Sequence, residues 1–196
     1  HGGAASGGTL HGCLLADNSA GRGGAALGST FYNCLLTGNK CRGDDASAAL
    51  ECRLFHCTVT GNHVESTIGK GGALYACKAV TNCIVMFNTR NHKDSVANYY
   101  KGTGPGAFGH SCVAPAIGGW AEGNIAEDPL FADAAGGDFR LRRTSPCRDT
   151  GITLGWALDP ADPRSLDLDR RPRVRGAAAD MGAYEFVPPS PGTAVL

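Results

Sequence analysis

Short apolar segments separated by polar bends recur through the first 90 residues. Each segment follows the pattern apolar-x-x-Cys-x-apolar-x-x-Asn, which appears at residues 10–18, 31–39, 54–62 and 80–88. In an extended strand, residues two positions apart lie on the same face, so the Cys and the following aliphatic residue face the same way. The cysteines recur at intervals of 21, 23 and 26 residues. Repeats of this length predict a solenoid, in which each copy stacks on the previous one.

The repeats divide the chain into three predicted parts. Residues 1–90 hold the β-helix repeats, residues 91–125 form a long insertion and the last coil, and residues 126–196 form a C-terminal capping module. The four repeats are residues 2–18, 23–39, 46–62 and 71–88.

The repeated pattern also fits a leucine-rich repeat, which returns through a helix or a 3₁₀ segment. Here the return segments read Gly-Gly-Ala-Ala or Gly-Gly-Ala-Leu. Glycine costs a helix about 1 kcal/mol relative to alanine, so these segments favour short strands and bends. We therefore expect an all-β fold, a right-handed parallel β-helix with C-terminal capping loops.

Equivalent residues of stacked coils form columns, and two columns stand out. Cysteine behaves as a small hydrophobe when buried, so the Cys column is expected to face the interior as thiols, with paired disulfides as the alternative. Asparagine tolerates the left-handed conformation at a bend and also stacks its amides from coil to coil, whereas sugar binding is the functional alternative. The columns are Cys13, Cys34, Cys57 and Cys83, with Cys112 as a fifth member, and Asn18, Asn39, Asn62 and Asn88; Cys52 and Cys77 form a further pair.

Two other columns are predicted to face outward. His11, Tyr32 and Phe55 form an aromatic column, which fits either sugar stacking or ordinary packing. An apolar column needs a cover, because contiguous exposed apolar patches are uncommon on soluble proteins. We expect residues 91–125 to supply that cover. The apolar column is Leu14, Leu35, Thr58 and Ile84, and the covering side chains are Tyr99, Tyr100, Phe108 and Trp120.

The turns after each Asn lengthen along the chain and carry much of the charge in the repeats. Insertions in repeat proteins project from one face, which is often the binding face. The alternative is that these turns are polar because they are solvated. The candidate ligand-binding residues are Lys40, Arg42, Asp44, Asp45, His63, Glu65 and Lys70.

The C-terminal part is rich in Asp and Arg. These residues fit a metal or polyanion site, but ion-paired loops over the last coil are the simpler interpretation. They are Asp149, Asp167, Asp169 and Asp180 among Arg164, Arg170, Arg171, Arg173 and Arg175.

Catalysis is not supported by the outward strand positions. A polysaccharide lyase needs clustered carboxylates and a basic residue, and a glycosidase needs two facing carboxylates. Glu51, Arg53 and Lys78 are candidate positions, but no acidic residue recurs in register on neighbouring strands. We expect no catalytic residues, no cofactor and no metal.

Composition and residue spacing argue against nucleic-acid binding, cysteine metal sites and membrane-spanning segments. The chain has 18 basic and 18 acidic residues, so no overall field favours nucleic acid. Metal-binding Cys-x-x-Cys pairs are missing among the nine cysteines. No apolar run reaches the roughly 18 residues that span a membrane. The first coil begins at once, so its open edge is expected to meet more of the same polypeptide, another subunit, or a second copy stacked head to tail or side by side.

The motifs resemble a known group of proteins. Gly-Gly-Ala-Ala/Leu followed by apolar-x-x-Asn resembles the repeats of polymorphic-outer-membrane-protein-like β-helices. "DPLFADAAGGDFRLRRTSPCRDTG" at 128–151 and "DLDRRPRVRGAAADMGAYE" at 167–185 resemble the C-terminal module of bacterial choice-of-anchor proteins in the pectin-lyase-like superfamily. Cys147-Arg148 and Arg170-Arg171 depart from that pattern.

The resemblance implies a secreted or cell-surface bacterial protein but no defined reaction, because fold-level likeness is weak evidence for function. We expect an extracellular structural or adhesive module without catalytic activity. The alternative is a β-helix protein that binds or degrades a polysaccharide.

Overall fold

The computed structural model describes residues 2–43, 45–65, 71–91, 96–100, 103–116 and 123–188. These residues form a parallel β-solenoid of four full turns and part of a fifth. Each full turn contributes one short strand to each of four sheets, and all pairings within these sheets are parallel. The predicted parallel β-helix is therefore confirmed.

The strands are numbered along the chain. Sheet 1 contains β1 (Ala5–Ser6), β5 (Ala26–Leu27), β9 (Ala46–Leu50), β13 (Gly72–Tyr75) and β17 (Tyr99–Tyr100). Sheet 2 contains β2 (Thr9–His11), β6 (Thr30–Tyr32), β10 (Arg53–Phe55), β14 (Ala79–Thr81) and β18 (Phe108–Gly109). Sheet 3 contains β3 (Leu14–Ala16), β7 (Leu35–Thr37), β11 (Thr58–Thr60), β15 (Ile84–Met86) and β19 (Cys112–Val113). Sheet 4 contains β4 (Ser19–Ala20), β8 (Lys40–Cys41), β12 (His63–Val64) and β16 (Thr89–Arg90).

Outside the solenoid, β20 (Phe131–Asp133) and β21 (Asp138–Leu141) form an antiparallel hairpin. Three short 3₁₀ helices span Pro105–Ala107, Gly155–Leu158 and Pro163–Ser165.

The middle residue of each three-residue strand points into the solenoid and builds the core. Sheet 2 contributes large side chains, sheet 3 contributes aliphatic ones, and sheet 1 lines the opposite wall mainly with alanine. Alternation along each strand places these residues inside and their neighbours outside. The inner columns are Leu10, Phe31, Leu54, Val80 and Phe108 in sheet 2, and Leu15, Leu36, Val59, Val85 and Val113 in sheet 3.

The Asn column forms a hydrogen-bonded ladder inside the solenoid. Nδ2 of Asn39 donates to Oδ1 of Asn62 at 2.9 Å, and the backbone N–H of Asn39 donates to the same oxygen at 3.0 Å. The same pair of bonds joins Asn18 to Asn39 and Asn62 to Asn88. Asn98 continues the ladder as a fifth member. The predicted stacking of amides is confirmed.

The other role predicted for these asparagines is wrong, because none of them takes the left-handed conformation. The residue before each one takes it instead, with φ of 55° to 65° at Asp17, Gly38, Gly61 and Phe87. That residue makes the bend, which leaves the Asn side chain free to point inward and satisfy buried amide groups.

The Cys column also faces the interior and acts as a ladder of acceptors. The N–H of Cys13 donates to Sγ of Cys34 at 3.4 Å, and Cys57 donates to Cys83 in the same way. Ser111 is the fifth member, because Cys83 N donates to its Oγ at 3.0 Å. The prediction of Cys112 at this place is wrong by one position: Cys112 pairs with Ile84 on the outer face of sheet 3.

No disulfide joins any of the nine cysteines, all of which lie within the described residues. Cys52 and Cys77 belong to a second ladder at the corner between sheets 1 and 2. There Ser29 N donates to Sγ of Cys52 at 3.4 Å, and Cys77 N donates to Oγ1 of Thr103 at 2.9 Å.

Residues of the C-terminal part cover the outer face of sheet 3, and Ala114 and Ile125 pack against the same cluster. Ala183 N donates to Oγ1 of Thr58 at 3.0 Å, and Met181 packs with Ile84 in a second hydrophobic cluster. Hairpin side chains of β20 and β21 join this cluster. The prediction of the cover is therefore wrong for Tyr99, Tyr100 and Phe108, which belong to sheets 1 and 2. The cover does not reach Leu14, which is 61% exposed.

Residues 91–125 instead supply strands of the last turn. Phe108 is buried in the core, Tyr99 packs against the core, and Tyr100 stacks on Tyr75 with ring centroids 5.8 Å apart. Their side chains contact the core or the neighbouring strand of the same sheet, because these residues continue the repeat. Trp120 lies outside the described residues.

Candidate functional site

The predicted ligand-binding residues follow sheet 4. Lys40 and His63 are adjacent partners in β8 and β12, and Thr89 of β16 comes next in the same column. Nδ1 of His63 lies 2.8 Å from Oγ1 of Thr89, and Nε2 lies 2.7 Å from Oδ1 of Asn91. Both ring nitrogens of His63 therefore have neutral hydrogen-bond partners, an arrangement that lacks the carboxylate partner of a catalytic His.

The remaining turn residues lie at the ends of these strands. The N–H groups of Arg42 and Glu65 hydrogen-bond to the previous turn, at Ala20 O and Cys41 O. Asp45 pairs with Arg22 at 2.6 Å. This ion pair is solvated and contributes little to stability. Asp44 and Lys70 lie outside the described residues.

The structure thus brings Lys40 and His63 together and ties Asp45 to a neighbouring turn. Ligand binding by this face stays a prediction.

The candidate catalytic residues are dispersed. Glu51 makes the bend before sheet 2, with φ of 57°. Arg53 faces outward in β10, and its partners in register are Thr30 and Ala79, which are uncharged. Lys78 precedes that alanine in the chain. Among the described residues, no three His, Cys, Asp or Glu side chains converge on a point where they could hold a metal ion.

The aromatic column is stacked as predicted. His11 and Tyr32 lie 5.1 Å apart at 10°, and Tyr32 and Phe55 lie 5.0 Å apart at 12°. The edge of Trp156 meets Tyr32 at 5.6 Å, and the guanidinium of Arg164 lies 5.3 Å from the Tyr32 ring centre. The column therefore packs against the C-terminal part of its own chain.

A corner between sheets 2 and 3 is the main attachment point for the C-terminal part. The corner residue of every turn takes the left-handed conformation, with φ of 48° to 55°. We call these residues the corner column: Gly12, Asn33, His56, Asn82 and His110.

Polar side chains of the corner column hydrogen-bond to the backbone of the C-terminal part. Asn82 accepts from Ile152 N at 2.8 Å and donates to Ile152 O at 2.7 Å. Asn33 donates to Arg164 O at 2.8 Å. His56 lies fully buried, with Nε2 2.8 Å from Nδ2 of Asn82 and its ring against the edge of Trp156.

The sequence analysis overlooked the corner column. The sequence feature that marks this column is a Gly, Asn or His, residues that tolerate positive φ, directly before each Cys of the ladder. In the last turn this residue stands before Ser111.

Two buried charged groups of the C-terminal part face this corner. Arg173 pairs with Glu185 at 2.7 Å, and its Nη1 lies 3.4 Å from Oδ1 of Asn33. Burial lowers the pKa of His56 well below its usual value, and the charge of Arg173 lowers it further. Burial raises the pKa of Glu185 to about 7, although Arg173 opposes the shift.

Most of the Asp and Arg residues of the C-terminal part form ion-paired loops. Arg140 binds Asp169 through two nitrogens, at 2.7 and 2.8 Å, and holds the pKa of that carboxyl below its usual value. Arg171 pairs with the same carboxylate at 3.1 Å. Asp167 accepts from the N–H groups of Arg171 and Glu185. The C-terminal part contacts the side of the solenoid at Gly12, Asn33 and Asn82, whereas the sequence analysis placed these loops over the last coil.

Comparison with known proteins found no matching protein-family model, no characterised relative and no similar solved structure. Among the described residues, no helix has the length and apolar character required to cross a membrane.

Proposed function

We propose that this chain is a non-catalytic structural module of a secreted or cell-surface protein, and that further β-solenoid structure stacks on its first turn. The unpaired edge of that turn is the observation that carries the proposal. The secreted or cell-surface location rests on the resemblance of the repeats and of the C-terminal motifs.

Strands β1, β2, β3 and β4 are the outermost strands of their four sheets. An edge strand presents unpaired N–H and C=O groups that readily accept another strand. Four such edges side by side match the cross-section of one solenoid turn. A partner with the same cross-section is therefore favoured over a single added strand.

The Asn ladder is open at the same end. Oδ1 of Asn39 accepts two hydrogen bonds from Asn18 in the turn before it. Within the described part of the chain, Oδ1 of Asn18 itself receives no such donor. A further turn that carries an Asn or another donor at this position would continue the ladder.

At the opposite end, the last strand of sheet 3 has hydrogen-bonding partners further along the chain. Ile125 N donates to Ser111 O, Val113 N donates to Ile125 O, and Asn124 accepts from Ser111 N. Ile125 thus forms a parallel bridge with Cys112 on the last strand of sheet 3, and Nδ2 of Asn124 donates to Phe108 O of sheet 2. Because all four strands of the first turn are unpaired on one side within the described part of the chain, we expect two copies to meet first turn to first turn. That contact closes on itself, whereas head-to-tail stacking would build a filament.

Light scattering after size-exclusion chromatography tests the proposal on the chain alone, with a mass of 20.2 kDa. We expect a concentration-dependent shift toward twice this mass. Leu14→Lys places a charge on the open edge and is expected to weaken the association. Leu158→Lys is the matched control, because Leu158 is 64% exposed in the C-terminal part. A mass of 20.2 kDa at every concentration, or equal effects of both variants, would overturn the proposal.

Carbohydrate binding is the second candidate function. The aromatic column gives it little support because Trp156 and Arg164 already pack against Tyr32. An arginine-lined cleft in the C-terminal part supports it better, as argued next.

A further inference from the structure

A cleft of about 370 Å³ opens in the C-terminal part, away from the repeats. It lies between three chain segments, and pockets of this size hold ligands as large as a monosaccharide. The lining residues are Arg143, Arg148, Asp149, Arg175, Gly176, Asp180, Glu185, Phe186 and Pro188.

One arginine is fixed in place as part of the wall. The guanidinium of Arg148 lies 4.0 Å from the ring centre of Phe186 and donates through Nη1 to the backbone oxygen of Arg143. Its Nη2 lies 3.7 Å from Oδ2 of Asp149, a distance beyond hydrogen bonding. Its Nε is buried and has no partner within the described part of the chain. Nη2 is therefore the donor of this guanidinium that is left for a ligand, because the buried Nε is closed to solvent.

The other two arginines are exposed, and neither Arg143 nor Arg175 forms an ion pair among the described residues. A second cleft on the other side of residues 185–188 provides a contrast. Its arginines, Arg140 and Arg171, are both paired with Asp169. Arginines that bind no carboxylate of their own chain are free to bind one from a ligand.

The carboxylates of the cleft are already engaged. Asp180 accepts from the N–H groups of Asp149 and Phe186. Glu185 accepts from Arg173 and from Asp180 N. Asp149, the third carboxylate of the cleft, accepts from Ala178 N and lies 3.7 Å from Nη2 of Arg148. The unused hydrogen-bonding groups in the wall are therefore mainly donors with positive charge.

Close backbone packing keeps the floor of the cleft in place. A Cβ added at Gly176 would meet the carboxylate of Asp149, so a larger residue there would displace this side chain. Asp149 in turn accepts from Ala178 N at 3.4 Å. Arg175, directly before this glycine, lines the same cleft as Arg148.

We infer that this cleft binds an oxyanion group, a sulfate, phosphate or carboxylate, carried by a ligand of about monosaccharide size or by one unit of an acidic polysaccharide. Planar guanidinium groups bind such oxyanions through paired N–H donors. The stacked Arg148 supplies a fixed contact, and Arg143 and Arg175 close on the anion from either side. This site goes beyond the proposed structural role and does not depend on stacking at the first turn.

Calorimetric titration tests the inference with four probes: inorganic sulfate, inorganic phosphate, a sulfated oligosaccharide and an oligogalacturonate. We expect the wild-type protein to bind at least one of them. The double variant Arg143→Ala/Arg175→Ala is expected to bind about tenfold more weakly or not at all. The oligosaccharide arms identify whether a sulfate or a carboxylate is the preferred group, and either preference supports the site.

The matched control is Arg53→Ala/Lys78→Ala, which removes the same charge from an exposed strand face. It is expected to bind as the wild type does. Equal weakening by both double variants would show non-specific attraction, and no binding of any probe by the wild type would show that the cleft is not an anion site. Both results overturn the inference and leave the stacking proposal untouched.

Discussion

Arg173 and Glu185 form an ion pair that is withdrawn from solvent, with side chains 0% and 1% exposed and Nη2 2.7 Å from Oε1. Nε of Arg173 donates to the same oxygen at 2.9 Å, and Nη2 also reaches Asp180 O at 3.1 Å. Because Nη1 extends toward Asn33, this pair lies between the C-terminal loops and the second turn of the solenoid.

Replacing Arg173 with methionine leaves the Glu185 carboxylate buried without its partner. Removing one member of a buried pair costs about 3–5 kcal/mol, so we expect a loss of this size in the free energy of unfolding. Urea unfolding of the two proteins measures it. Arg171→Met is the control, because Arg171 is partly exposed and its ion pair contributes at most about 1 kcal/mol. Similar losses in both variants would contradict the assigned role of the buried pair.

The Asn ladder predicts a position-dependent cost of removing one amide. Asn62→Ala in the middle of the ladder removes the acceptor of Asn39 N and the donor to Leu36 O and Thr60 O. Nδ2 of Asn39 keeps its bonds to Leu15 O and Thr37 O. Unsatisfied buried polar groups cost about 1–3 kcal/mol each, so we expect Asn62→Ala to destabilise by at least about 3 kcal/mol. Asn18→Ala, at the exposed end, is expected to cost less than half as much. Thermal and urea unfolding compare the two, and equal costs would contradict a cooperative ladder.

His56 predicts a pH dependence of stability. Its pKa is lowered in the folded state, so the unfolded chain binds its proton more readily. Above the unfolded pKa of about 6.5, His56 is neutral in both states and does not reduce the free energy of unfolding. Below that pH the unfolded chain takes up the proton first, so the free energy of unfolding falls by up to about 1.4 kcal/mol per pH unit. Glu185 acts in the opposite direction, because a pKa raised to about 7 favours the folded state as the pH falls.

A comparison with His56→Asn separates the two effects, because Glu185 is common to both proteins. Asparagine suits the left-handed corner, as Asn33 and Asn82 show. We expect the stability advantage of the wild type over His56→Asn to shrink between pH 6.5 and 5 in urea unfolding. His63→Asn controls for the replacement of a histidine. An advantage that stays constant or grows toward low pH would contradict the buried neutral imidazole.

The cysteines are expected to differ in reactivity by position. Burial raises the pKa of Cys52 to about 11 and of Cys77 to about 12, so few thiolates form there at neutral pH. Cys13, in the open first turn, is less buried. Pulse labelling with iodoacetamide and mass spectrometry should modify Cys13 first in the native protein. All nine cysteines should react after denaturation without reductant, whereas fewer than nine would show disulfides.

The interior could be predicted from the sequence, because stacking makes equal repeat positions neighbours. The Leu-x-x-Cys-x-Leu-x-x-Asn core fixes which side chains face inward, and the structure keeps the aligned residues in register. The fifth turn was harder to align, because Ser111 replaces Cys there. The Ser111 hydroxyl accepts the hydrogen bond from Cys83 N that a cysteine sulfur accepts in the other turns. The role in the ladder is therefore kept although the residue type differs.

The outer surface could not be predicted in the same way. Periodicity shows that Thr58 and Ile84 face outward but not which segment covers them. The cover comes from Met181 and Ala183, about a hundred residues further along the chain, through contacts that no repeat encodes. The arginine-lined cleft could not be predicted for the same reason, because Arg143 and Arg175 line one cleft only in the folded chain.

Hydrogen–deuterium exchange at low and high protein concentration tests stacking at the first turn most directly. The account predicts that amides of β2 and β3 gain protection at high concentration, while amides of the 3₁₀ helix at Gly155–Leu158 exchange at an unchanged rate. First-turn amides that exchange at the same rate at both concentrations, while the protein associates through another surface, would contradict it.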